Sequence, residues 1–330
     1  MSIITTPLTQ QLGIKHPILL AGMGGTSTAS LAAAVSNAGG LGVIGGVGYT
    51  PPQLQAMIAD LKSQLADPSL PFGMDLLLPQ VGGSARRTNA DYTKGALDEL
   101  VGVIIAGGAR LFVSAVGACA AGADLICAQG GEAGGHTGDI PTGVLVPACA
   151  EVCAAHASPL TGNPVGLVAA GGISSGRSLA SALMLGVQAV WVGTRFVAAR
   201  ESGASEHAKR AVLEAGFDSV VRSVVWTGRP LRALKNLYIA DWEQNRQAEI
   251  RELTGKGIVP LEHELDKLHE QGKLTDEIMD QAELLPMGIV AGLVNKPDQT
   301  AKEIVDEIVS EASTILSSAG QFVTSKAKLQ

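Results

Sequence analysis

Short apolar runs alternate with glycine or polar turns and alanine-rich stretches along most of the chain. His16–Ala21, Gly42–Gly45, Phe72–Leu78, Leu111–Ala115, Asp124–Gln129, Val165–Ala170 and Ala189–Gly193 are apolar or small apart from His16, Asp75, Asp124 and Gln129. Strands buried on both faces have that composition, whereas half-buried strands alternate. Between them Ser30–Ala38, Pro51–Leu65 and Gly176–Leu185 read as helices. Strand and helix in alternation predict a parallel sheet covered by helices. The polar and glycine-bearing turns cluster just past the C-terminal ends of the strands. That placement favours an α/β fold of the TIM-type (β/α) barrel over an open doubly wound sheet.

The pattern changes near Arg222. From there to about Gln281 the chain is charged, with Arg229, Arg232, Lys235, Asp241, Glu243 and the run Glu262–Lys273. This predicts a smaller helical lid domain, which the polar, interrupted stretch Val81–Leu100 joins. Ala301–Ser317 returns to an amphipathic helix whose apolar positions are Ile304, Val305, Ile308, Val309 and Ile315, suited to closing the barrel. The expected organisation is a barrel of residues 1–82, 100–215 and 286–320, a substrate-side domain of 83–99 and 216–285, and a flexible tail, 321–330.

A net charge of −7 argues against nucleic acid or an anionic membrane as partner. Cys119, Cys127, Cys149 and Cys153 show no paired spacing and read as reduced thiols. With no secretory signal at Met1–Gly13, the expectation is an intracellular, cytoplasmic protein. Val101–Ala128 is apolar, but Arg110, Asp124 and its glycines favour buried strands over a membrane span.

The densest candidate chemistry is Leu125–Asp139, where a short apolar run ends in Gln129 and five glycines then surround His136. So much glycine points to backbone in close approach to a ligand, and a histidine held there can move a proton near neutrality. Ala169–Ser175 and Trp191–Phe196 are consecutive strand-to-helix turns with the Ser174 and Thr194 hydroxyls, a pairing suited to phosphate at the last two strands of a barrel. Ala21–Ser27 invites a dinucleotide-binding reading. Its third fingerprint position is Ser27 rather than glycine, however, and no acidic residue ends the second strand. His263–Glu264 opens like a zinc helix, yet position 267 is Lys267, and no metal constellation is expected.

Ala21–Gly25, Ala128–Gly138, Ala169–Ile173 and Trp191–Phe196 together resemble the nitronate monooxygenase family. Asp75–Lys94 and Thr227–Pro230 are similar to its fungal-type members. The resemblance covers about residues 10–295. It implies a TIM-type barrel with non-covalently bound FMN, acting on a small-molecule nitronate or nitroalkane and O2 to give a carbonyl compound and nitrite. It further implies that His136 is the base near the substrate's α-carbon and that Gln129 lies beside the isoalloxazine. Gly22, Met23 and Asp75 would approach the ring, where many relatives carry Asn in place of Asp75. Gly171, Gly172, Gly193 and Thr194 would hold the phosphate, and Gly24, Gly130, Gly134 and Gly135 complete the cofactor-binding set. A monomer or homodimer is expected.

One departure from the family stands out. Only Ala118–Ala123 separate Gly117 from Asp124, and six residues cannot carry a helical crossover between parallel strands. The family has about thirty more residues here, roughly one βα unit. The expectation is therefore an internal deletion between Gly117 and Asp124, leaving a barrel that closes with seven strands or opens at that seam. Two other readings stay open: an FMN-dependent NAD(P)H reductase on a similar barrel, and a truncated, non-catalytic isoform.

Overall fold

The apolar runs pair in parallel. The structure, a computed structural model, describes residues 4–78, 89, 91–114 and 122–322. Its strands are β1 (Ile18–Leu20), β2 (Gly42–Gly45), β3 (Phe72–Leu76), β4 (Leu111–Ser114), β5 (Leu125–Gln129), β6 (Gly135–His136), β7 (Gly166–Ala170), β8 (Ala189–Val192), β9 (Val220–Ser223) and β10 (Leu231–Leu234). The helices are α1 (Pro7–Leu12), α2 (Ala29–Asn37), α3 (Pro51–Ser63), α4 (Leu97–Gly107), α5 (Thr142–Ala154), α6 (Gly176–Met184), α7 (Thr194–Val197), α8 (Glu206–Glu214), α9 (Leu237–Asn245), α10 (Gln247–Gly255), α11 (Pro260–Glu270), α12 (Asp276–Ala282) and α13 (Ala301–Ser318).

Two parallel sheets, ordered β1-β8-β7-β5 and β2-β3-β4, meet at a bridge between Leu19 and Leu41. The strands thus follow one another as β4, β3, β2, β1, β8, β7 and β5 around a TIM-barrel-like wall. Ile18 and Leu20 point outward into the layer shared with the helices. Leu19 points inward, where it joins Val43, Val168 and Ala189 with Leu8 and Leu12 of α1, which plugs the N-terminal end. α13 packs on α6 and α2 with Ile304, Val305 and Ile308 buried. It is fastened by Arg195, only 4% exposed, whose guanidinium bonds Gln299 and Glu307.

Among the described residues no pairing joins β4 to β5. Both edges show apolar surface to solvent: Phe112 on β4 is 43% exposed, and Ile105 on α4 and Val144 on α5 are 73% and 63% exposed. Cys127 on β5 is likewise reached by solvent. Residues 115–121, which hold most of the short connection and Cys119, lie outside the described set.

Two expectations need correction. Residues 97–107 form helix α4 rather than a strand, since apolar periodicity alone does not separate a short buried strand from a buried helix. The stretch from Arg222 holds β9 and β10 as well as helices. Leu231 and Ala233 are buried while Arg232 and Leu234 are half-buried, an alternation that suits strands and not helices. β9, β10 and β6 form an antiparallel sheet. It lies beside a cluster of Trp226, Ile239, Trp242, Ile250 and Leu253. Glu264 is the polar knot there, taking hydrogen bonds from Trp242 Nε1 at 2.9 Å and Arg246 Nη1 at 2.7 Å. No described helix is long and apolar enough to cross a membrane.

Candidate active site

The loop after β5 is tightly built. Glu132 accepts from the Thr142 amide at 3.0 Å and from its hydroxyl at 2.7 Å, which ties the loop to the start of α5. Thr137 Oγ1 donates to the Gly130 carbonyl at 3.0 Å, and Gln129 Nε2 donates to the His136 carbonyl at 2.5 Å. From β10, Arg232 donates to the Gly131 carbonyl at 2.8 Å, and Arg222 on β9 pairs with Asp139 at 2.7 Å. His136 therefore lies on a short strand, opposite Leu231. The reading of a polar loop gives way to cross-strand pairing that no local pattern announced.

Several of the expected ligand glycines answer to packing. A Cβ at Gly134 would come within 2.5 Å of the Met287 backbone, where two chain segments cross. Gly134→Ala should lower stability by about 1–3 kcal/mol, the usual cost of overpacking a rigid contact. Denaturant unfolding checks this, and an unchanged midpoint would refute the crossing. Gly130 and Gly171 are likewise crowded, by Thr142 and by the Gly130 backbone. By contrast, Gly24 and Gly135 have no atom within 4 Å of a built Cβ, and at Gly172 the nearest is 3.7 Å away. Those backbones are open to an incoming group.

His136 is half-buried, with Nε2 3.0 Å from Thr227 Oγ1. The Thr227 hydroxyl donates its single proton to the Arg229 carbonyl at 3.2 Å, so it accepts from Nε2–H. That fixes the tautomer and leaves the lone pair on Nδ1. Burial, and then the charge of Arg229, push the imidazole down to about 4. At neutral pH it is an uncharged acceptor.

The other candidate residues ring the same end of the barrel. After β1, Ser27 donates to the Ala21 carbonyl at 2.6 Å and accepts from the Met23 amide, folding Gly22–Gly24 into a tight turn. A Cβ at Gly22 would strike the Asp75 carboxyl, so only glycine lets Asp75 lie against that turn. The Asp75 carboxyl has no hydrogen-bond partner among the described residues, and desolvation alone raises it to about 7. After β7, Gly171 and Gly172 both take left-handed backbone, φ +85° and +75°. After β8, Thr194 Oγ1 accepts from the Gly288 amide at 3.0 Å, which binds its oxygen to the chain. These turns offer open backbone at Gly24 and Gly172, and beside Gly22 a desolvated carboxyl with no hydrogen-bond partner among the described residues, a set of groups that can receive the polar groups of a flavin cofactor.

Sequence reading gave no role to Glu132, Thr142, Thr227 or Tyr92, although Glu132, Tyr92 and Thr227 lie within the resembling motifs. Glu132 sat in plain view inside the glycine run, where an acidic residue needs a donor. Thr227 stood in the Thr227–Pro230 resemblance, but its contact with His136 becomes visible only once β10 pairs with β6.

A family model described as nitronate monooxygenase matches residues 5–108 and 88–311. The chain is 30% identical to the (3aS,4S,5R,7aS)-5-hydroxy-7a-methyl-1-oxo-octahydro-1H-indene-4-carboxyl-CoA dehydrogenase of Mycobacterium tuberculosis, over 97% of this chain and 99% of that protein. It is also 30% identical to a probable nitronate monooxygenase of Staphylococcus haemolyticus, over 72% of this chain and 80% of that one. Among solved structures it is similar to FabK from Thermotoga maritima, with a TM-score of 0.73 and 27% identity, covering 97% of this chain and 100% of that one. A nitroalkane oxidase from Streptomyces ansochromogenes matches with a TM-score of 0.69 and 25% identity, covering 94% and 99%.

Proposed function

The chain belongs to the nitronate monooxygenase family of flavin-dependent oxidoreductases, and from that premise we propose that it oxidises alkyl nitronates with O2 to carbonyl compounds and nitrite, using FMN. The observation that carries the reading is His136, a neutral imidazole of fixed tautomer at the end of the barrel where the open glycine turns lie. Bound FMN would supply the electron transfer between nitronate and dioxygen. Gly24, Gly172 and the Gly193–Thr194 turn would receive its polar groups, with Asp75 and Met23 beneath the ring. His136 Nδ1, a lone-pair acceptor, would take the α-proton when the substrate arrives as a nitroalkane. The antiparallel sheet, anchored through Arg222 and Arg232, would keep water from the reacting carbon.

We further propose that the chain lacks about one βα unit between β4 and β5 relative to its family, whose fungal-type members it resembles at Asp75–Lys94 and Thr227–Pro230. Residues 79–88 and 90 of the first stretch lie outside the described set. The unpaired strand edges support the deletion. So does the alignment with the mycobacterial dehydrogenase, which needs 364 positions although the chain has 330 residues.

The test is the visible spectrum of the purified protein, then addition of ethyl nitronate in air. A flavin spectrum with nitrite formed as O2 disappears is expected. A protein that stays colourless after FMN reconstitution defeats the reading. The end-to-end match to a dehydrogenase favours a second reading, an FMN-dependent NAD(P)H reductase; stoichiometric NAD(P)H oxidation without nitronate would select it.

A further inference from the structure

Among the described residues Arg229 is a cation without an anion. Its Nη2 donates to Tyr92 Oη at 2.9 Å, and its guanidinium carbon stands 5.6 Å from the Tyr92 ring centre. Its Nε is buried and makes no hydrogen bond. No carboxylate of the described residues lies within 4.0 Å of it, and residues 1–3, 79–88, 90, 115–121 and 323–330 include no Asp or Glu. The arginines nearby differ. Arg222 pairs with Asp139 at 2.7 Å, and Arg232 has Glu132 and Asp139 in its surroundings as well as a carbonyl acceptor. Leaving a partly buried guanidinium unpaired is costly, so its position calls for a negative charge brought in from outside.

Its place relative to His136 says where that charge would sit. The Arg229 carbonyl accepts from Thr227, which accepts from His136 Nε2, and the charge of Arg229 is felt at the imidazole. We propose that Arg229 is a specificity-determining residue that binds the two oxygens of an anionic substrate group beside His136, so that the site selects nitronates over neutral nitroalkanes. This rests on the nitronate-oxidising reading of the site. A nitronate is planar with two in-plane oxygens, as a carboxylate is, and the guanidinium fork matches that shape. Tyr92 holds the fork in place, and Gly228, at φ +67°, turns the chain so that Arg229 and Thr227 both reach the His136 strand.

The experiment compares wild-type chain, supplied with FMN, with Arg229→Met and Arg229→Lys. The probes are propionate, an unreactive carboxylate shaped like ethyl nitronate, and then ethyl nitronate and nitroethane as substrates. Propionate binding is followed by the NMR shifts of the His136 ring, assigned by their loss in His136→Asn. In Arg229→Met, propionate affinity and the KM for ethyl nitronate should each worsen roughly 10- to 100-fold, the loss of one charge-assisted contact. The KM for nitroethane should move less than about threefold on the same basis, and the His136 pKa should rise. Arg229→Lys should recover part of the loss. If propionate and nitronate bind Arg229→Met as well as wild type, or nitroethane suffers equally, the proposal is overturned. The propionate measurement needs no turnover, so a chain that binds propionate through Arg229 but oxidises no nitronate would fail the functional reading alone. Should Arg229→Met not fold, Arg229→Gln, able to hydrogen-bond Tyr92 without the charge, carries the same comparison.

Discussion

His136→Asn should cut turnover of nitroethane by about 10²–10⁴-fold, the usual contribution of a positioned proton acceptor. Asparagine can still hydrogen-bond Thr227, so flavin affinity and melting temperature should hardly change. What is lost is the lone pair on Nδ1. The pH profile gives a second reading of the same group. Because the imidazole is pushed down to about 4, it stays neutral through pH 6–9, and activity should fall only as the pH drops towards 4. A kcat within threefold of wild type in His136→Asn, with flavin retained, would sink this role.

Asp75→Asn should stabilise the protein at pH 8 and do little at pH 4. Unfolded, an aspartate titrates near 3.9. Folded, desolvation raises Asp75 to about 7. Between those values the native state keeps a proton that the unfolded state has already released, so raising the pH destabilises the fold until both states are ionised. The window is pH 4–7. A shift of that size sets an upper bound of about 4 kcal/mol, reduced by whatever solvent reaches the half-buried carboxyl. Thermal unfolding of both proteins across pH 4–8, without added flavin, reads the difference. Parallel curves would mean that Asp75 is ionised and solvated in the folded state. The same substitution installs the residue that many relatives carry here, so flavin binding by Asp75→Asn should be less dependent on pH than that of wild type.

The barrel was legible because most of its strands are short apolar runs ending in glycine or polar turns, and α13 because its apolar stripe is long. The antiparallel sheet was not. β6 has two residues and β9 and β10 four each, too short to stand out against charged neighbours. Their pairing depends on a long chain excursion between His136 and Leu231. For the site, glycine density located the loop but could not sort its glycines. Gly134 and Gly171 serve chain crossings, while Gly24 and Gly172 stay open. That distinction depends on which segment passes overhead, and the Met287–Gly288 crossing comes from the far end of the chain.

The register Leu20 with Val192 makes the barrel wall depend on two distant parts of the chain. During synthesis at about 5–20 residues per second, β1 waits roughly ten to thirty seconds for its partner on one side. Meanwhile β2, β3 and β4 emerge early and can pair among themselves, but no described strand pairs with the far edge of β4 even after the ring is otherwise built. The nascent chain thus passes through a long interval with apolar strand edges exposed, and among the described residues the finished fold leaves the edges of β4 and β5 unpaired. Yield of soluble protein should therefore respond to expression rate and chaperone supply more steeply than the melting temperature alone suggests.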